Sequence, residues 1–78
     1  MTGREPLAGR DPDEPHPSRL APDEPRRDEI LAAHRAARRA GATSYTDPAT
    51  GFAVMTSAYL ADRGTCYHQG CRHCPYVV

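Results

Sequence analysis

The distribution of proline constrains this chain more than any other feature. Six of the eight prolines lie in residues 1–26, together with six acids and four arginines. Proline fixes φ and removes a backbone donor, so this density forbids a helix or a centrally paired strand there. Leu7 and Leu20 are the large apolar residues of the segment. It cannot bury enough surface to offset the entropy of ordering. Residues 1–26 are therefore expected to form a disordered, partly polyproline-like tail ahead of a small domain at 27–78. Pro12-Asp13-Glu14-Pro15 recurs as Pro22-Asp23-Glu24-Pro25. The repeat could serve a protein partner, but a solubilising tail explains it more simply.

The domain that remains reads as small α+β. Asp28 is expected to cap a helix running from Glu29 to Ala40, with acids at its start, arginines at its end and Gly41 as its stop. Its apolar face is thin: Ile30, Leu31, Ala33, His34 and Ala37. His34 reads as a half-buried helix histidine rather than a distant ligand. Arg35, Arg38 and Arg39 read as a solvated face rather than an RNA stripe. Two short strands, Thr43–Thr46 and Phe52–Met55, flank Asp47-Pro48-Ala49-Thr50-Gly51. Asp first, Pro next and Gly last describe a hairpin turn with a glycine bulge. Tyr45, Phe52 and Val54 are expected to fill much of the core. Thr56 or Ser57 should cap a short helix over Ala58–Arg63 that ends at Gly64.

The chemistry is concentrated at the C-terminal end. All three cysteines and two of the four histidines fall between Cys66 and Cys74, as Cys-x4-Cys-x2-Cys. A two-residue gap lets two thiolates converge on one ion through a tight turn, as in zinc knuckles and iron–sulfur loops. Arg72 could lower thiolate pKa values or donate to sulfur. The expected ligands are Cys66, Cys71 and Cys74, with His68 the better candidate for the fourth position. His73 is the alternative, and water or a second chain could also complete the site. A small core adds a reason for metal, because domains of this size often need one to be stable.

Zinc is the expected cofactor, and three other readings compete. Cys71 and Cys74 could form a thiol-redox pair with Cys66 as the resolving thiol. A [2Fe–2S] cluster uses the same spacing but needs a fourth cysteine, so it is less favoured. Arg72, Tyr67 and Tyr76 beside the loop would suit an RNA-binding knuckle. The bland reading is that the cysteines only pack under a turn. No nucleophile–base pairing or phosphate-binding glycine loop is visible, so an interaction module is expected rather than an enzyme. Formal net charge is zero, which gives no global pull toward nucleic acid or an anionic membrane. No apolar run approaches the ~18 residues that span a bilayer. The N-terminus lacks the apolar core of a secretory signal, making a cytoplasmic protein the default.

The run Tyr45-Thr46-Asp47-Pro48-Ala49-Thr50-Gly51-Phe52, then Arg63-Gly64 and Cys71-Arg72-His73-Cys74-Pro75-Tyr76, resembles a family of short uncharacterised domains. Those domains end in a Cys-Cys-Gly-Ser-Gly-Cys-Arg-His-Cys-Pro-Tyr signature, and the likeness covers roughly residues 30–76. A looser likeness exists to the cysteine motif of the oxidoreductase-like domain. The resemblance implies a fold and a cysteine site rather than a reaction. The family's doubled cysteine falls here on Cys66 and Tyr67, and its next glycine on His68. A four-cysteine site would thus become three cysteines with, on this reading, His68.

Overall fold

A computed structural model describes residues 7–64 and 71–76. Their order is helix α1 (Arg27–Arg39), strand β1 (Ser44–Thr46), strand β2 (Ala53–Met55) and helix α2 (Ser57–Arg63). The arrangement is the expected small α+β: two helices beside a two-stranded antiparallel hairpin.

Helix α1 carries Asp28 and Glu29 in its first turn and Arg38 and Arg39 in its last, matching the helix dipole at both ends. The N-cap position belongs to Arg26, which makes no side-chain capping bond. Asp28, expected as the cap, therefore acts from inside the first turn through its charge. At the other end Gly41 has φ 71°. The Gly41 N–H donates to the Arg38 carbonyl at 3.1 Å and the Ala42 N–H to Ala37 at 2.9 Å. Those two bonds are a Schellman stop, which a left-handed glycine permits without strain. The helix buries Ile30, Leu31, His34 and Ala37, a single narrow stripe.

Beyond the stop the chain turns into the hairpin, which pairs Ser44 with Met55, Tyr45 with Val54 and Thr46 with Ala53. The Asp47 N–H donates to the Phe52 carbonyl at 2.8 Å and the Gly51 N–H to the Asp47 carbonyl at 2.8 Å. Helix α2 follows directly. The Thr56 side chain caps it by accepting from the Tyr59 N–H, and Gly64 closes it in the left-handed region. Tyr76 lies against its end, donating from its hydroxyl to the Leu60 carbonyl at 2.6 Å.

Leu20, Ile30, Leu31, Ala37 and Tyr45 form the core, with Ala33 and Val54 at its edge. Leu60 is also fully buried. Phe52 was expected inside and is instead 73 % exposed. It lies beyond the last paired residue, Ala53, where the hairpin has become turn.

Residues 7–26 contain no helix or strand, as their proline density dictates. Contacts nevertheless cross the boundary that composition draws at residue 26. Leu20 joins the core and Pro15 is buried. Asp13 pairs with Arg38, and Glu14 pairs with Arg27 at 3.2 Å. The Ala8 N–H donates to the Pro75 carbonyl at 2.8 Å. Deleting residues 1–26 is thus expected to lower the melting temperature by at least about 10 °C. Loss of one buried leucine alone costs roughly 2–5 kcal/mol in a small domain. Thermal unfolding followed by circular dichroism tests this, and an unchanged midpoint would show these contacts to be energetically idle.

Candidate functional site

Cys71 and Cys74 sit at the two ends of one turn, closed by the Cys74 N–H donating to the Cys71 carbonyl at 3.3 Å. Cys71 is half-buried, Cys74 is buried, and neither is in a disulfide. Two arginines from the proline-rich segment reach the turn. Arg10 donates to the Cys74 carbonyl at 2.8 Å, and Arg19 makes a longer contact, 3.4 Å, with the Cys71 carbonyl. Both guanidiniums therefore bring positive charge to the backbone that carries the thiols.

The two residues between the cysteines fasten this turn to the rest of the fold. Arg72 was expected to serve the thiols, and it forms an ion pair with the Asp47 carboxylate at 2.9 Å. Asp47 is almost wholly buried, and it also accepts from the Ala49 N–H at 3.0 Å and the Thr50 hydroxyl at 2.9 Å. Burial alone would raise its pKa. The Ala49 N–H, Arg72 and Thr50 outweigh that and hold it below the usual carboxylate range. The hairpin turn and the cysteine turn are thus bolted together through one carboxylate.

His73 points the other way, into the core. Its Nε2 shares a 2.6 Å hydrogen bond with the Tyr45 hydroxyl. Its ring stacks on that of His34, centroids 3.6 Å apart and planes within 2°. The His34 Nε2 accepts from the Ser57 N–H at 3.0 Å, tying α1 to the start of α2. A nitrogen that accepts carries no proton, so the hydrogen of neutral His34 resides on Nδ1. The Asp13 carboxylate lies 3.9 Å from that atom, beyond hydrogen-bond reach. Both imidazoles are held neutral. Burial, followed by its partner ring and Arg72, lowers His73 to about 3. Burial lowers His34 to about 4, with Arg38 and Arg35 adding to the shift and Asp13 opposing it.

Of the residues expected at the site, Cys71 and Cys74 are brought together, while Cys66 and His68 lie outside the described residues. His73, the alternative ligand, is hydrogen-bonded to Tyr45 at Nε2, and its buried Nδ1 makes no hydrogen bond among the described residues. Among the described residues no group of three or more His, Cys, Asp and Glu side chains is gathered as a metal site requires. Sequence reasoning missed the His34–His73 pair. A usable signal was the place of His34 on the apolar stripe of α1, between Leu31 and Ala37. It also missed Arg10 and Arg19, for which the sequence carries no local cue.

Among the described residues no helix is long and apolar enough to cross a membrane. No solved structure matches the chain. The sequence pattern of one family matches residues 33–78, more than half of the chain, and covers α1 from its second turn, the hairpin, α2 and the cysteine turn. The chain belongs to that family, DUF5522, a family of unknown function.

Proposed function

We propose that the protein is a small zinc-binding interaction module in which Cys71 and Cys74 hold the metal with Cys66 and His68. The observation that carries this is the turn itself. Two cysteines outside any disulfide stand at its two ends, and the intervening Arg72 and His73 are anchored elsewhere. Fixing those two side chains leaves the thiols as the chemistry of the loop. Arg10 and Arg19 would offset the negative charge of a thiolate-rich zinc site. Cys66 and His68 enter on sequence spacing, and a metal would supply stability that so small a core lacks. The module would act through a partner, with the metal setting the shape of the surface that the partner meets.

Protein purified without added metal should contain about one zinc per chain, and chelation should lower its melting temperature. Cys71→Ser and Cys74→Ser should each remove most of the metal. His68→Ala should weaken zinc binding at least tenfold while leaving the core intact. His73→Ala should do the reverse, lowering stability through Tyr45 and His34. Metal-free protein that is stable and readily closes a Cys71–Cys74 disulfide would replace this reading with the thiol-redox one.

A further inference from the structure

The N-terminal segment grips the cysteine turn with two small turns of its own. In the first, the Glu14 N–H donates to the Asp11 carbonyl at 2.9 Å, and the Arg10 Nε donates to the Glu14 carbonyl at 2.8 Å. This fixes the guanidinium, whose outer nitrogen reaches the Cys74 carbonyl at 2.8 Å. In the second, the Arg19 and Leu20 N–H groups both donate to the His16 carbonyl, at 2.8 and 3.1 Å, and the Ser18 N–H donates to His16 Nδ1 at 3.1 Å. That turn presents Arg19 to the Cys71 carbonyl, at 3.4 Å, and Leu20 to the core. Each turn thus aims one arginine at one cysteine carbonyl, a match that a solubilising tail does not need. We infer that residues 7–19 form a clasp that opens about Leu20 and controls access to the cysteine turn, above all to Cys74.

The attachments of the clasp divide into weak and strong ones at Leu20. Residues 7–19 contain no helix or strand, so their bonds to the turn can part without unravelling α1 or the hairpin. Those bonds run from Ala8 to the Pro75 carbonyl and from Arg10 and Arg19 to the cysteine carbonyls. On α1 the clasp is pinned by Asp13 to Arg38 and by Glu14 to Arg27, side chains that are 25–55 % exposed. Pairs so placed are weak and are screened by salt. Leu20 is buried among the apolar residues of α1 and is far more costly to withdraw. Cys74 itself is only 2 % exposed. A cleft of about 160 Å³, lined by Ala8, Arg10 and Pro12 of the segment and by Cys74 and Pro75, runs along the seam where the two would separate. As a control on metal exchange this inference rests on the zinc reading above; as a control on thiol access it does not.

The test uses the full chain with Asp13→Asn and Glu14→Gln combined, which removes both pins and leaves Leu20 in place. If the purified chain carries zinc, transfer of the metal to a chromophoric chelator is timed. If it carries none, alkylation of Cys74 by iodoacetamide is timed by mass spectrometry. Either rate should rise at least about fivefold in the double variant. In the native chain the same rate should rise comparably between ~0.05 and ~0.5 M salt, and the double variant should respond much less. Hydrogen exchange at the Leu31 and Ala37 amides should be unaltered, because the opening spares α1. An unchanged rate in the double variant would overturn the clasp. So would a rise matched by equally faster exchange at Leu31 and Ala37, which would place the access in global unfolding. Absence of zinc would count against the zinc reading alone, since alkylation still reports on the clasp.

Discussion

Taking the protein from pH 7 to pH 4 is expected to unfold it, with His34 and His73 as the cause. Both imidazoles are buried and neutral in the fold, near 4 and near 3 respectively, against about 6.5 in an unfolded chain. The unfolded chain therefore takes up protons first as the pH falls. The stabilising contribution of each ring is complete above about pH 6.5 and declines toward pH 4. Two stacked rings cannot both accept a charge; burial is the largest effect on each ring, Arg35, Arg38 and Arg72 add to it, and Asp13 and Asp47 oppose it without overcoming it. The loss by pH 4 is on the order of 3 kcal/mol for each ring. A domain of this length holds roughly 4–12 kcal/mol in all. Asp47 cannot account for a loss in this window. Its folded value is depressed below 3.8, so its contribution persists until the pH falls past that point. Melting temperature followed from pH 7 to 4.5 should drop steadily, and His34→Gln should flatten the slope. A flat profile in the native chain would mean that the rings are not sealed from water.

Asp47→Ala should be the most destabilising single change in the hairpin, costing about 3–5 kcal/mol. It removes the acceptor of the Ala49 N–H and the Thr50 hydroxyl, and it strips the partly buried Arg72 of its partner. An uncompensated guanidinium is the larger part of that cost. Asp47→Asn retains the turn bonds but not the charge, and should fall between Asp47→Ala and wild type. Thr50→Ala should cost less, about 1–2 kcal/mol, because it removes the bond to Asp47 and the one accepted from the Phe52 N–H. Chemical denaturation of the three variants tests the ranking, and Asp47→Ala within about 1 kcal/mol of wild type would refute it. The same change should speed alkylation of Cys71, because Arg72 then no longer anchors the turn.

The elements were legible where a few neighbouring residues decide the outcome. Gly41 and Gly64 stop their helices, Thr56 caps α2, and Asp47 with Gly51 sets the hairpin turn. Each of these rests on backbone chemistry within about four residues. The placements that differed depend on distant partners. Phe52 has the right residue type for a core and lies past the end of the sheet. Leu20 sits among prolines and yet is covered by the helix stripe. At the site, the cysteine turn was visible from spacing, but the orientation of its middle residues was not. His73 faces Tyr45 and His34 because those rings, 28 and 39 positions away, offer a dry surface and a hydrogen bond. Arg72 turns to Asp47 because a buried carboxylate outcompetes a thiol for a guanidinium.

The bond between Ala8 and Pro75 has a topological consequence. It joins positions near opposite ends of the described chain, so the fold is a ring closed by hydrogen bonds and a few arginine contacts. Closing a loop of that length costs the unfolded chain nothing and the folded chain much of its conformational freedom. A covalent link between positions 8 and 75 would transfer that loss to the unfolded state. By loop-closure entropy the gain approaches about 4 kcal/mol for a ring of roughly 70 residues. The proline-rich segment that composition sets apart is, in this sense, the place where the ring is most easily opened and most usefully locked.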